Sequence, residues 1–157
     1  MAAPSATARV APTGLKLRDG YSTKITLSRD PNINFWERTV TPPGIDGGDS
    51  IEITTMHNDD WRVFAPRSLA TLTEMTCSAA YDPQVYTEIL GVLNLNDQIT
   101  VRFPDGSTLA FWGYLKMFEV GEHSEGEFPE CTITIVPTNE DDDGAERSPV
   151  LTSVAGT

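Results

Sequence analysis

An acidic run near the C-terminus is the first group of residues whose spacing could hold a ligand. Asn139, Asp141, Asp143 and Gly144 match the start of a calcium-binding helix–loop–helix motif. The twelfth position of that motif is Val150 rather than a bidentate Glu, and Pro149 would interrupt the helix that should follow. The run is therefore more typical of a solvated acidic segment than of a calcium site.

A second group, His57, Asp59 and Asp60, could offer one imidazole and two carboxylates to a metal ion. The chain contains two histidines, His57 and His123, so a His-rich catalytic zinc site is excluded. A polar segment of this kind is more often an exposed loop. The sequence predicts no metal site and no cofactor.

Catalytic signatures are missing from the sequence. It has no G-x-S-x-G nucleophile motif and no Gly-rich phosphate loop after a strand. A pair of carboxylates for glycoside hydrolysis could be drawn from 23 acidic residues, but none lies in an apolar setting that would raise its pKa. We therefore expect a non-enzymatic protein.

The three tryptophans, Trp36, Trp61 and Trp112, could form a sugar-binding platform. Trp112 lies in the most apolar segment, so we expect it to be buried. Trp61 and Phe64 lie in a polar stretch, where aromatic side chains can anchor an interface. Either they dock into another subunit or they fold back on their own domain, and the sequence leaves both open.

The charge balance is acidic. The sequence has 23 acidic and 11 basic residues and a formal net charge of −12 at pH 7. Such a surface repels phosphates, which disfavours nucleic-acid binding but suits a protein past which nucleic acid must move without adhering. Cys77 and Cys131 lack metal-ligand spacing and are expected to be reduced thiols of a protein made in the cytoplasm. No secretory signal or apolar run of ~20 residues is present, so we expect a soluble protein.

Alternating apolar and polar residues, broken by turn residues, predict the elements that position these groups. The segment 69–81 also fits a helix by the spacing of its Leu and Met residues, but its threonines favour a strand. Asp82 and Pro83 are a helix N-cap and first position, and they predict a helix from 83 to about 93. Seven strands are predicted, over 23–30, 33–41, 51–55, 69–81, 98–103, 109–120 and 131–136.

The segment 109–120 is the most apolar of these strands. Strict alternation places Leu109, Phe111, Leu115 and Met117 on one face and leaves Trp112, Tyr114, Phe118 and Val120 on the other. Both faces then need cover, one from the core and one from the helix or another subunit.

Together these elements predict a mainly β protein, a β-sandwich or barrel flanked by one α-helix, with no βαβ rhythm. Residues 1–22 are predicted to be an extended N-terminal arm, 23–137 the β domain, and 138–157 an acidic polar tail. Residues 57–67 form a long loop within the domain.

Several phrases of the sequence resemble one known family. They are MHN with a following W, then FAPRSLATLTEMTCSAAYDPQVYTEI, QITVRFPDGSTLAFWGYLKMFE and EGEFPECTITIVPTN. In this order they resemble the major tail tube proteins of long-tailed, siphovirus-type bacteriophages, over about residues 14–145. The resemblance implies a β-sandwich with a flanking helix, similar to the tube subunits of contractile tails and type VI secretion systems.

The resemblance also implies a function. Such subunits form hexameric rings that stack into a hollow tube, with other tail proteins at its tip and terminus. DNA passes through the lumen during ejection, and an acidic lining would let it slide. The expected location is the virion tail, assembled in the host cytoplasm without a membrane.

Two sets of residues follow from this expectation. The N-terminal arm and the long loop would make the contacts between rings, and acidic side chains would line the lumen or the outer surface. The lumen or surface candidates are Glu37, Glu52, Glu74 and Glu119; the contact candidates are His57, Asn58, Asp59, Asp60, Trp61, Arg62, Phe64 and Arg67.

Three alternatives remain open at this level. The chain could be a carbohydrate- or protein-binding β-sandwich module, a tube subunit of a secretion system or, less in keeping with its motifs, an acidic hydrolase.

Overall fold

The structure, a computed structural model, describes residues 23–33 and 35–153. The predicted arm, residues 1–22, lies outside the described residues. In chain order the elements are β1 (Lys24–Leu27), β2 (Trp36–Thr41), β3 (Ile45–Asp46), β4 (Ile51–Glu52), β5 (Phe64–Ala65), β6 (Thr71–Leu72), β7 (Met75–Ala80), α1 (Pro83–Leu90), β8 (Asp97–Arg102), β9 (Thr108–Val120), β10 (Glu130–Pro137) and β11 (Val150–Thr152).

Seven of these strands form one antiparallel sheet in the order β1–β8–β9–β10–β7–β2, with β11 also paired to β9. The prediction of a mainly β protein with one flanking helix is confirmed for the described residues. The predicted strand over 69–81 is two strands, β6 and β7, that belong to different sheets. The amino-acid pattern did not show this break because Thr71, Thr73 and Thr76 favour a strand on both sides of it.

Helix α1 begins as its sequence predicts. The Asp82 side chain accepts a hydrogen bond from the Gln84 N–H, and Pro83 occupies the first turn. Val85 and Ile89 are its buried side chains. The helix ends at Leu90, before the predicted position 93, because the chain turns at Gly91 and Asn94 adopts φ 61°.

Residues 42–74 form a long hairpin between β2 and β7. Strands β3 and β6 pair at its base, and β4 and β5 pair farther out, as two small sheets separate from the main one. We call residues 42–74 the hairpin and residues 55–62 its tip. The predicted loop 57–67 is therefore the outer half of an ordered projection.

Strand β9 is shared by two halves of the main sheet. Its first part, 108–113, pairs with β8, and its second part, 113–120, pairs with β10. Gly113 lies at the junction and pairs with both Asp97 and Pro137. A Cβ at this position would lie 2.6 Å from the Val136 carbonyl oxygen, so only glycine fits the approach of the two strands.

A β-bulge in β9 overturns the predicted division of its faces. Leu115 pairs with Ile135 and Met117 pairs with Thr134, so Lys116 is an extra residue. Beyond it the alternation reverses: Phe118 lies opposite buried Ile133, whereas Met117 is 42% exposed. The prediction placed Met117 with Leu115 and Phe118 with Trp112, and it was wrong because strict alternation does not allow for a bulge.

The core lies inside the curve of this sheet. Both halves contribute fully buried side chains, among them Val101 from β8, Phe111 from β9, and Ile133 and Ile135 from β10. The helix closes one side, where the Tyr86 and Phe118 rings meet edge to face with centroids 5.7 Å apart.

A side chain completes the seam between the outermost strands, β1 and β2. The Ile25 backbone N–H donates to Glu37 Oε1 at 2.9 Å, in place of a bond between two backbones. Burial raises the pKa of Glu37, and the bond from Ile25 opposes that rise. Strand edges are prone to unwanted pairing, and this bond satisfies part of the β1 edge.

The chain does not leave the sheet at residue 137. After β10 it continues along the edge of β9, where the Thr138 N–H donates to the Trp112 carbonyl at 2.8 Å. It then returns as β11 against residues 108–110 of β9. The acidic composition of 138–157 gave no sign of this return, because Val150 and Leu151 are a very short apolar signal.

We expect Gly113→Ala to lower the free energy of unfolding by about 1–3 kcal/mol, because the added methyl group must displace the backbone of Val136. Gly47→Ala is the matched control, since a Cβ there meets no atom within 4 Å and the change should stay within about 0.5 kcal/mol. Urea denaturation of both variants measures the difference. Equal stabilities would contradict the proposed role of Gly113.

Candidate functional site

The hairpin carries an unusual share of the exposed apolar surface. Sixteen large hydrophobic side chains are exposed in the described part of the chain, and eight lie between residues 45 and 69. A monomer rarely exposes apolar side chains this densely unless a partner covers them. The eight are Ile45, Ile51, Ile53, Met56, Trp61, Val63, Phe64 and Leu69.

Backbone and side-chain hydrogen bonds hold the two legs of the hairpin together. The Ile53 N–H donates to the Val63 carbonyl at 2.9 Å, and the Val63 N–H donates to Thr54 Oγ1 at 2.8 Å. Nearer the base, Arg67 Nε donates to the Asp49 carbonyl at 2.8 Å. The hairpin therefore presents its side chains from a defined backbone.

The tip is closed by Asn58. Its Oδ1 accepts from the Thr55 N–H at 2.8 Å, and its own N–H donates to the Thr55 carbonyl at 3.1 Å. His57, Asp59 and Asp60 are exposed, and Trp61 is 83% exposed. Asn58 thus shapes the tip, and Trp61 is the large side chain that it displays.

Arg62, Phe64 and Glu52 form a mixed patch beside the tip. Glu52 pairs with Phe64 across β4 and β5, and Arg62 Nη1 lies 3.8 Å from Glu52 Oε1. The Arg62 side chain is 76% exposed, so this ion pair is weak and screened by water. The guanidinium remains accessible to a second carboxylate.

The four predicted lumen or surface carboxylates are not brought together. Glu37 lies at the β1–β2 seam and Glu52 lies in the hairpin, beside Arg62. Glu74 bonds to Lys116 Nζ at 3.1 Å. Glu119 is exposed on the outer face of β9, with no ion pair to another described residue.

Small hydroxyl side chains cover the outer face of the sheet next to Glu119. The strand register aligns Thr41, Thr76 and the buried Thr134 in one row, which ends at the exposed Met117. The next row contains Thr39, Ser78 and Thr132 and ends at Glu119. We call these six residues the hydroxyl face. Two cations flank it, and each forms an ion pair, Arg38 with Glu130 and Lys116 with Glu74.

The three tryptophans do not form one platform. Trp61 lies at the hairpin tip, while Trp36 lies at the opposite end of β2 and is 59% exposed. Trp112 faces the outside of β9, opposite Gln98, and is half-buried rather than buried as predicted. Its cover comes from the 138–149 segment, which sequence reasoning placed in a separate tail.

The acidic run 139–144 is organised around Asp141. One carboxylate oxygen of Asp141 accepts from the Asp143 and Ala145 N–H groups at 3.0 and 2.9 Å, and the other accepts from Arg147 Nε at 2.7 Å. The hydrogen bond from Arg147, followed by the backbone donors, lowers the pKa of Asp141. The carboxylate that the calcium motif would use is thus already occupied by internal donors.

Within residues 23–33 and 35–153, His, Cys, Asp and Glu side chains form no group of three or more that could hold a metal ion. No helix in that part of the chain is long and apolar enough to cross a membrane.

Known proteins resemble this chain in fold rather than in sequence. No family model and no curated protein matches the sequence significantly. Solved structures do match. A chain of the sheath–tube complex of an extracellular contractile injection system in its extended state aligns with TM-score 0.61 and 15% identity, over 85% of this chain and 90% of that chain.

Two further structures give the same result. A chain of the anti-feeding prophage baseplate aligns with TM-score 0.60 and 7% identity, over 85% of this chain and 92% of that chain. A chain from the tail of an empty gene transfer agent particle aligns with TM-score 0.57 and 9% identity, over 88% and 100%. The chain shares its fold with components of tail and tube assemblies.

At this identity the likeness concerns architecture and not individual residues. It spans nearly the whole of each matched chain.

The sequence did not predict that several hydrophobic residues are exposed. Ile51 and Ile53 resemble core positions of a strand, and Leu69 resembles the start of another, yet all three are exposed on the hairpin. The flanking PPG and DGG segments were the available signal, because they isolate residues 45–73 from the sheet strands. Phe128, 69% exposed, had no such signal.

We expect Asp141→Asn to destabilise the fold near neutral pH. Because the folded-state pKa of Asp141 is lowered, its carboxylate stabilises the fold above the unfolded-state pKa and loses this contribution as the pH falls through the folded-state pKa. The stability gap between wild type and variant should therefore shrink on acidification. Denaturant titrations between about pH 7 and about pH 3 measure it.

Asp143→Asn is the control, because its exposed side chain makes no contact with Arg147. A gap for Asp141→Asn that stays constant with pH would contradict the assignment.

Proposed function

We propose that this chain is the structural subunit of a phage-type tail tube, in which hexameric rings stack into a hollow tube. The observation that carries the proposal is the hairpin: an ordered projection that holds half of the exposed large apolar side chains of the described residues. Buried in a neighbouring subunit, these side chains would supply the hydrophobic part of a ring-to-ring contact.

The comparisons support a tubular, six-fold assembly. The gene transfer agent tail has C6 symmetry and the anti-feeding prophage baseplate is six-fold symmetrised. Transferred to this chain, that symmetry gives six identical subunits per ring, with contact candidates His57, Asn58, Asp59, Asp60, Trp61, Arg62, Phe64 and Arg67 between rings. The N-terminal arm, 1–22, is proposed as a second inter-ring element.

The tube would conduct DNA without binding it. The net charge of −12 repels phosphate, and the hydroxyl face offers neutral side chains whose flanking cations are already paired. We place the hydroxyl face toward the lumen, with Glu119 as its principal carboxylate. Glu74 would contribute less because Lys116 neutralises it, and Glu37 and Glu52 are engaged at the seam and on the hairpin.

The role is structural rather than catalytic and takes place in a virion tail assembled in the host cytoplasm. Other tail proteins would bind the two ends of the tube, and no membrane is involved.

A second candidate is the tube of an injection or secretion apparatus, which moves protein instead of DNA. Two of the aligned structures favour this second function. They are the anti-feeding prophage baseplate and the extracellular contractile injection system. Particles isolated through a tagged subunit distinguish the two, because a phage tail is attached to a head that holds nuclease-protected DNA. Particles that contain only protein cargo would favour the injection apparatus.

We expect the purified protein to form tubes, and we expect the double variant Trp61→Ala with Phe64→Ala to assemble poorly. Removing two exposed aromatic anchors should raise the concentration needed for assembly by at least about tenfold without changing the fold. Sedimentation and negative-stain electron microscopy measure assembly, and circular dichroism measures folding. Leu90→Ala is the control, since Leu90 is 63% exposed on α1, away from the hairpin.

Deletion of residues 57–66 should give the stronger form of the same result, a folded protein that builds no stacked rings. Normal tubes from the deletion would show that the hairpin has no part in stacking. Stable monomers of the wild-type protein under every condition would count against the tube itself.

We expect wild-type tubes to leave DNA unbound and Glu119→Lys tubes to retain it. The substitution is repeated in every subunit, so positive charge accumulates along the bore, and retention should weaken steeply with added salt. Glu146→Lys makes the same charge change at an exposed position of the 138–149 segment, which contributes no residue to the hydroxyl face. Equal DNA retention by both variants would remove the hydroxyl face from the lumen.

A further inference from the structure

A second exposed aromatic pair lies at the end of the sheet opposite the hairpin. The hairpin leaves from the end of β2 and enters the start of β7, next to Thr41 and Met75. The other end of the same strands carries Trp36, which lies opposite Ala80, and the loop that leads into β10. Trp36 and Phe128 are 59% and 69% exposed there.

This end is held in place by hydrogen bonds. Trp36 Nε1 donates to Asp82 Oδ2 at 3.2 Å, and the Tyr81 N–H donates to the Pro129 carbonyl at 3.1 Å. The Tyr81 and His123 rings meet edge to face with centroids 5.4 Å apart. The loop 121–129 is therefore fixed against the start of α1 by contacts on both sides.

The loop that carries Phe128 also carries three carboxylates. Glu122, Glu125 and Glu127 are exposed and form no ion pair with another described residue. We call Trp36, Phe128 and these three glutamates the acceptor surface. It combines apolar area with an uncompensated negative rim.

One part of the hairpin tip, Trp61 and Arg62, has the complementary chemistry, whereas the exposed Asp59 and Asp60 of the same tip would have to face away from the glutamates. Trp61 is 83% exposed, and the adjacent Arg62 side chain is 76% exposed with one weak carboxylate partner. Tryptophan and arginine are the residue types that most often anchor an interface. Trp61 fits against exposed rings, and the Arg62 guanidinium fits against glutamate carboxylates.

We propose that the acceptor surface receives the hairpin tip of a second copy of this chain. The proposal rests on the proposed function and assigns the surface that the hairpin contacts. Tip and acceptor lie at opposite ends of one subunit, so the contact is heterologous and repeats without closing, which generates a stack.

Other docking sites for the tip are less favourable. Tip-to-tip contact would be isologous and would end at a pair of copies. The groove at the base of the hairpin has apolar Ile45 and Leu69, but its one carboxylate, Glu146, lies beside Arg147, so the groove offers Arg62 less negative charge than the three glutamates of the acceptor surface.

Cross-linking tests the contact directly. A protein with both Asp60→Cys and Ser124→Cys, two exposed positions that leave the aromatic anchors in place, should give a ladder of cross-linked oligomers with a short bismaleimide, whereas each single variant should not. A mixture of the two single variants should give dimers. The native thiols do not interfere, since both cysteines are buried and burial raises the pKa of Cys77 to about 12.

A charge substitution gives an independent measure. Phe128→Glu should raise the concentration needed for tube formation by at least about tenfold, and the matched change Leu90→Glu on α1 should raise it less than about twofold. Both residues are exposed, so neither change should prevent folding.

The outcomes separate this proposal from the tube proposal. Wild-type tubes combined with no ladder and normal assembly of Phe128→Glu would overturn the acceptor surface and leave the tube intact. Dimers of the Asp60→Cys single variant would show tip-to-tip contact and also overturn it. If the wild-type protein builds no tubes, a ladder from the double variant still supports the heterologous contact, and its absence overturns both proposals.

Discussion

The fold depends on one strand that belongs to two halves of a sheet. Strand β9 pairs with β8 along its first part and with β10 along its second, and Gly113 lies where the pairings meet. A side chain there would collide with the Val136 carbonyl, and the bulge at Lys116 resets which side chains face inward. Phe111, Leu115 and Phe118 all reach the same core because of these two local features.

The curve of the sheet determines what remains available for association. It brings β1 and β2 together, and the Glu37 carboxylate bonds to the Ile25 N–H across the seam. A half-buried carboxylate with a raised pKa is unfavourable in isolation, and the hydrogen bond offsets part of that penalty. With the seam bridged, the exposed apolar groups are concentrated on the hairpin and, at lower density, at the opposite end of the sheet.

Paired and unpaired charges also lie in different parts of the protein. The cations next to the hydroxyl face are paired, and Asp141 gathers Arg147 and two backbone donors into a compact turn over β9. By contrast, the carboxylates of the 121–129 loop have no cationic partner among the described residues. An acidic protein of this design has few sites for phosphate but keeps carboxylates exposed where a guanidinium from another copy could bind.

The sequence determined the elements whose signals are local. Asp82 and Pro83 predicted the start of α1, and alternation predicted β8 and β10. The sequence segments that resemble tail tube proteins pointed to the fold shared with the aligned tail and tube structures. Long-range packing decided the rest. Whether Ile51 and Ile53 face a core or solvent depends on which strands they meet, and the face of Met117 depends on a bulge set by β10.

The candidate site divides in the same way. Trp61 and Arg62 could be chosen from the sequence because tryptophan and arginine side chains in a polar loop often anchor an interface. Trp36 and Phe128 are more than 90 positions apart in the sequence, and only the pairing of β2, β7 and β10 brings their strands to one end of the molecule. The sequence shows which side chains can anchor an interface, whereas the register of the sheet decides which of them share one surface.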